Sequence, residues 1–129
     1  MNYRFNHIHL ICTDMKGMAQ FFTKTLGATF VGSRNFGGTE GVVLDLHGTA
    51  IYIRPIRESD HIPAGCSHVI PGYHHIGLEV NNLEAAYSEL ERQGFTFTLP
   101  PKNSASGSSK VAFFKGPEGI MVELVQKLL

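Results

Sequence analysis

The chain has 129 residues, 11 Lys and Arg against 11 Asp and Glu, seven His, two Cys, no Trp and 43% hydrophobic residues, the make-up of an ordinary globular domain. Disorder, a collagen-like repeat and a disulfide scaffold are excluded, and a chain of this length buries roughly two-thirds of its unfolded surface without a covalent staple. A formal charge of zero leaves no global field to draw phosphate backbones or anionic lipid, so the expected partner is a small-molecule substrate rather than nucleic acid or membrane.

The first residues turn polar too early for a secretory leader, and no apolar run is long enough to span a bilayer, so a cytoplasmic location is expected. Cys12 and Cys66 belong to no C-x-x-C motif and read as two reduced thiols, Cys12 within the core.

In chain order, His7-Ile8-His9-Leu10-Ile11-Cys12 alternates with period two and predicts a strand that runs into Asp14, a helix-capping residue. Met15, Met18, Phe21, Phe22 and Leu26 then keep helical spacing up to Gly27. Strand-like runs follow at residues 28–34, 41–46 and 50–54. Residues 56–72 hold Pro63, Pro71 and two glycines, lack periodicity and read as a connection. The pattern then restarts at His75-Ile76-Gly77-Leu78-Glu79-Val80. Asn82 is the second cap, Leu83, Ala86, Tyr87 and Leu90 form the second helical face up to Gly94, and strands are predicted at 95–99, 110–115 and 120–126, with a Pro-, Ser- and Gly-rich loop at 100–109.

The unit is βαβββ, used twice. Neither copy is large enough to hold an independent core, so modules 1–55 and 73–129 are expected to form one α+β domain, a cupped mixed sheet curved around a cleft. Such modules can pair within one chain or across two, and a homodimer is predicted, its site lying within a chain or shared between chains.

Alternation sets His7, His9 and Ile11 on one strand face and Ile8, Leu10 and Cys12 on the other, and likewise His75, Gly77 and Glu79 opposite Ile76, Leu78 and Val80. The purely apolar faces must take the helices, so His7 and His75 point toward whatever the sheet encloses. On the last strand Glu123 is flanked by Val122 and Leu124, and a half-buried Glu demands a compensating cation. A divalent metal held by His7, His75 and Glu123 supplies one and leaves positions open for substrate, as catalytic sites do. The same residues also fit two core histidines with satisfied ring nitrogens and a strand-edge carboxylate, and spacing alone does not choose.

With those residues in hand, the chain resembles the vicinal oxygen chelate superfamily, the glyoxalase I, bleomycin resistance protein and extradiol dioxygenase group, over essentially its whole length. The family opening of a strand His, an Asp and a helix with paired aromatics ending in Leu-Gly is similar to His7, Asp14, Phe21-Phe22 and Leu26-Gly27, and the second module opens similarly at His75. Its closing aromatic strand, D-P-x-G-type turn and Glu-bearing strand resemble Phe113-Phe114, Gly116-Pro117-Glu118-Gly119 and Val122-Glu123-Leu124, with Gly116 in place of the Asp.

The resemblance implies paired βαβββ modules around one divalent ion (Zn, Ni, Mn, Fe or Co), with His7, His75 and Glu123 at three ligand positions. It implies binding of adjacent substrate oxygens and stabilisation of an enediolate or oxyanion, the chemistry of a glyoxalase I-like lyase or isomerase, whose substrate is a thiol adduct. The departure is Tyr52, which matches Glu123 by its distance from the preceding Gly48 and Gly119, where glyoxalase I places Glu or Gln. Two His and one Glu are the set of the extradiol dioxygenases and the fosfomycin resistance transferases, while the bleomycin-binding relatives lack the ligands.

Around this set, Glu123 is a ligand and a candidate proton-transfer group, and His9 is either a general base or hydrogen-bond partner to substrate, or strand-face filling. Tyr52 either donates to a substrate oxygen or packs. Arg54, on the same face as Tyr52, either meets an anionic substrate group or is a strand-end charge. The loop Asn103 to Lys110 either cradles an anion or is a solvated hairpin. His47, His61, His68 and His74 are left outside the site, His74 because its parity opposes that of His75.

Overall fold

The computed structural model describes residues 2, 5–60, 74–105 and 107–128. The chain divides into two compact units, Met1–Gly65 and Cys66–Leu129, each an α+β module of one four-stranded mixed sheet with a helix. Most of the connection lies outside the described residues, and with it Cys66, His61 and His68.

In the first unit the strands are β1 (His7–Cys12), β2 (Thr29–Phe36), β3 (Thr39–Leu46) and β4 (Thr49–Pro55), ordered β1-β4-β3-β2, with helix α1 (Met15–Gln20) between β1 and β2. The second repeats this with β5 (Ile76–Glu79), α2 (Leu83–Arg92), β6 (Phe97–Asn103), β7 (Ser109–Lys115) and β8 (Met121–Lys127), ordered β5-β8-β7-β6. Each module thus pairs its first and last strands in parallel and its other neighbours antiparallel.

The caps fall on the expected residues. Asp14 Oδ1 accepts from the Gly17 N–H at 2.9 Å and Asn82 Oδ1 from the Ala85 N–H at 3.0 Å, each satisfying a donor that a helix start leaves open. Gln126 Oε1 accepts from the Leu83 N–H at 2.7 Å and ties the start of α2 to β8. Cys12, Met18, Phe21, Phe22, Leu44, Ile51 and Ile53 are buried between the first helix and its sheet, and Ile76, Leu83, Leu90, Ala112, Phe114, Val122 and Leu124 between α2 and its sheet. In β1, Ile8, Leu10 and Cys12 are the more buried face and His7, His9 and Ile11 the exposed one, as alternation requires. Among the described residues no helix is long and apolar enough to cross a membrane.

Three local departures have physical causes. The expected single helix to Gly27 is α-helical only through Gln20 and continues as a π-helical turn over Phe21–Thr25, with the Leu26 N–H donating to the Phe21 carbonyl at 3.1 Å. The spacing of Met18, Phe21 and Phe22 suits either helix, so the pattern could not separate them. β6 does not stop at Leu99 but runs through Pro100 and Pro101 to Asn103. It is an edge strand whose register shifts between Leu99 and Lys102, where a proline forfeits no ladder bond. β2 continues to Phe36 and turns through Gly37 and Gly38, both at positive φ, so that β2 and β3 form a longer hairpin than the apolar pattern alone outlines.

Two contacts shape the first unit beyond its core. Gly41 is buried in β3 with the Phe36 ring laid over it; a Cβ there would overlap the Ile53 carbonyl oxygen and stand 2.6 Å from the ring. Arg54, only 8% exposed, donates through Nη1 to Asp60 Oδ2 at 2.7 Å and through Nη2 to Oδ1 at 3.0 Å, while Asp60 Oδ2 also accepts from the Arg57 N–H at 2.8 Å. These bonds, from Arg54 first and the Arg57 backbone second, hold the Asp60 carboxyl well below the usual carboxylate range and raise the Arg54 guanidinium.

Gly41→Ala is expected to cost about 1–3 kcal/mol in urea unfolding, the overpacking of a filled site; an unchanged midpoint would show that Phe36 is free to move. Asp60 titrates lower when folded than unfolded, so its contribution is complete above the unfolded carboxylate pKa and fades as acid approaches the folded one. Asp60→Asn should therefore lower stability at neutral pH, with the gap to the parent narrowing below about pH 4; a gap that does not change with pH would contradict the ion pair.

Candidate functional site

The open face of the second sheet carries His75 and Glu123. Val122 and Leu124 turn inward beneath α2, so Glu123 between them faces the other way. The turn Pro117–Gly119, with Glu118 at φ 54° and Gly119 at φ 77°, returns the chain so that β8 sets Glu123 beside Gly77 and Phe113. A Cβ at residue 77 would stand 3.5 Å from Glu123 Oε2, so Gly77 leaves the carboxylate clear on that side. His75 stands one residue ahead of β5, its ring edge-on to Phe113 at 5.1 Å. Its Nε2 lies 3.1 Å from Glu123 Oε2, with the His side chain 32% and the Glu side chain 20% exposed.

The other nitrogen of His75 is also engaged. Its Nδ1 is 2.8 Å from Nδ1 of His74, the residue set aside on strand parity. Parity does keep His74 from Glu123, yet adjacency brings it to the back of the His75 ring. The first unit repeats the device: His7 Nδ1 donates to Oδ1 of the preceding Asn6 at 2.8 Å. A neutral imidazole whose Nδ1–H is given to a neighbour keeps its lone pair on Nε2, the tautomer a metal needs.

On the open face of the first sheet, His7 stacks on Tyr52 with centroids 4.2 Å apart and planes 22° apart. His9 lies 4.6 Å from Phe36 and edge-on to Tyr52 at 5.9 Å. Register makes Tyr52 the positional equivalent of Glu123, since His9 pairs with Tyr52 as Gly77 pairs with Glu123. Burial pushes the His9 pKa down, and the charges of Arg54, His7, Arg57 and Arg34 push it the same way, so the ring is neutral at physiological pH. Arg54 faces this side but its guanidinium is taken up by Asp60. Arg34 is the guanidinium that lies over the Tyr52 ring, at 4.9 Å. Sequence reading passed over Arg34, although its alternation with Phe36 was the available signal.

The donor chemistry of His75 and Glu123 suits a divalent ion. Ligand bonds of 2.0–2.2 Å place two neighbouring ligand atoms about 2.8–3.6 Å apart in octahedral or tetrahedral geometry, and the Nε2–Oε2 separation is 3.1 Å. Among the described residues no group of three or more His, Cys, Asp or Glu stands together as a metal-holding set. The structure brings His75 and Glu123 together in one unit, and His7, His9 and Tyr52 together in the other.

Residues 4–124 match the family model for the Glyoxalase/Bleomycin resistance protein/Dioxygenase superfamily. No curated protein matches the chain. Among solved structures it is similar to a glyoxalase family protein from Enterococcus faecalis, at 22% identity and TM-score 0.78 over 95% of this chain and 96% of that one. It is similar to a superfamily member from Sphaerobacter thermophilus, at 23% and 0.73 over 98% of each. It also resembles the fosfomycin resistance protein FosX from Listeria monocytogenes, at 18% and 0.74 over 100% of this chain and 97% of that one. A mutant of the same FosX was solved with Mn(II) and 1S,2S-dihydroxypropylphosphonic acid. The likeness to these structures establishes the shared fold, and the match along residues 4–124 establishes the family: the chain belongs to the glyoxalase/bleomycin resistance protein/dioxygenase superfamily.

Proposed function

We propose that this protein is a divalent-metal-dependent enzyme of glyoxalase type, acting on a small substrate that presents adjacent oxygens, with His7, His75 and Glu123 holding the metal. The observation that carries the reading is the pairing of His75 Nε2 with Glu123 Oε2 at 3.1 Å beside a glycine that leaves room for a third atom. A bound divalent ion supplies Lewis acidity, polarising a substrate carbonyl and stabilising a developing oxyanion by several kcal/mol.

The chain's own groups supply the rest. His75 Nε2 and Glu123 Oε2, 3.1 Å apart, are the two atoms that would hold the ion. His74 and Asn6 hold the ring nitrogens that face away from the metal. Glu123, only partly exposed, is proposed as a ligand and, when not bound to the ion, as a proton-transfer group. His9, kept neutral by burial and three guanidinium groups, is an acceptor on the first sheet, and Tyr52 brings a hydroxyl at the register position that Glu123 holds in the other module. The two units are proposed to act as one domain, and the chain as a homodimer.

A second reading, opening of a phosphonate-bearing epoxide, is favoured by Tyr52. Its register position offers no carboxylate or amide as a fourth ligand, and the structural neighbours include a fosfomycin resistance protein. Thiol dependence and product analysis on a 2-oxoaldehyde–thiol adduct and on an epoxide separate the two.

Untagged protein is expected to carry about one metal ion per chain by mass spectrometry, lost in His75→Ala and in Glu123→Ala. Equal metal in parent and variants would refute the site. His74→Ala should leave the fold intact and weaken Zn binding about 10–100-fold in a chelator competition, whereas unchanged affinity would reduce His74 to a surface residue.

A further inference from the structure

The open face of the first sheet carries Arg34 and Arg54, with Asp45 on the same face opposite Ala50. Arg34, Arg54 and Arg57 all act on His9 from around it, and Asp60 is the carboxylate that meets them, occupied by Arg54 through two hydrogen bonds and by the Arg57 backbone through a third. The Arg57 guanidinium turns to the Gly37 carbonyl at 3.3 Å. Arg34 is exposed, and among the described residues it has no carboxylate within ion-pair distance.

Arg34 is nonetheless held in place. Its guanidinium carbon stands 4.9 Å from the Tyr52 centroid and 5.5 Å from that of Phe36, two rings 5.4 Å apart. The platform exists because Arg34 pairs across the strands with Gly41, where the missing side chain lets the Phe36 ring lie across β3 toward β4. Stacking on ring faces engages the π surface of a guanidinium and leaves its N–H fork free to bond in its own plane. A planar cation that is oriented in advance and lacks an internal counter-ion is built to receive two oxygens of one anion.

We infer that Arg34 is the specificity-determining residue of this face and that the substrate carries a compact oxyanion, a carboxylate or a phosphate-like group, which Arg34 binds from its place over the Tyr52 ring. The inference rests on the proposal that this face lines the substrate site. It also divides the roles of the arginines: Arg54 is a structural partner of Asp60, and Arg34 recognises the ligand.

The test is a titration of the full chain with inorganic phosphate and, separately, with acetate, followed through the ring signals of His7, His9 and Tyr52 by NMR, on chelator-treated and on Zn-loaded protein. Saturable shifts are expected in the parent. Arg34→Gln should weaken binding at least about tenfold, the loss of a charge-assisted bond, and Arg34→Lys should recover part of it, with the thermal midpoint of both variants unchanged. Tighter binding of phosphate marks a phosphate- or phosphonate-bearing substrate, and tighter binding of acetate a carboxylate.

No saturable shift with either anion in the parent, or equal affinity in Arg34→Gln, overturns the inference. Arg34-dependent binding to a protein that takes up no metal supports it while refuting the metal proposal. Metal uptake without Arg34-dependent binding does the reverse.

Discussion

In each module the first and last strands pair in parallel, and that register governs what the open face of the sheet can do. The helix covers one face, so one of every two residues on the central strands must be apolar, and polar chemistry is confined to the other. Once β8 lies against β5, Glu123 stands opposite Gly77 and within reach of His75. Shifting β8 by one residue would turn Glu123 into the core beneath α2 and bring Val122 or Leu124 out. The core and the candidate site are therefore two outcomes of one alternation, and neither can change register without the other.

The two modules use the same scaffold for unlike ends. Where the second has Gly77 and Glu123, the first has His9 and Tyr52. Glycine clears space around a carboxylate, and the larger His9 instead fills the face and meets Phe36 and Tyr52 as part of an aromatic floor. Both modules keep an imidazole ahead of or at the start of the first strand, and both hold its Nδ1 through the residue just before it. What the repeat retains is the oriented histidine. What diverges is the group that would share a ligand with it: an anionic oxygen in one module, and in the other a ring that supports the Arg34 cation.

Most of the fold was legible because it is written in periods. The alternations beginning at His7 and at His75, the caps at Asp14 and Asn82 and the stops at Gly27 and Gly94 are local signals, and the structure follows them. Pro100 and Pro101 misled because their meaning depends on whether a strand is at the edge, which is a property of the sheet and not of the segment. The pairing of His75 with Glu123 was legible through parity and repeat position. The division of labour among the arginines was not. Arg34 and Arg54 both alternate onto the open face, and what separates them is Asp60, in a connection without periodicity, and Gly41, whose absent side chain makes the aromatic platform. His74 was hidden for a related reason: strand parity describes where a side chain points, not which atom of its neighbour it touches.

His75 and Glu123 are proposed as neighbouring ligands of one divalent ion. Anomalous diffraction at the metal edge, from crystals of protein reconstituted with Zn or Mn, tests it most directly. A single strong peak is expected within bonding distance of His75 Nε2 and Glu123 Oε2, with the imidazole of a His7 beside it and His74 still against His75 Nδ1. Density showing the His75–Glu123 hydrogen bond intact, with no peak between the two side chains at saturating metal, would contradict it.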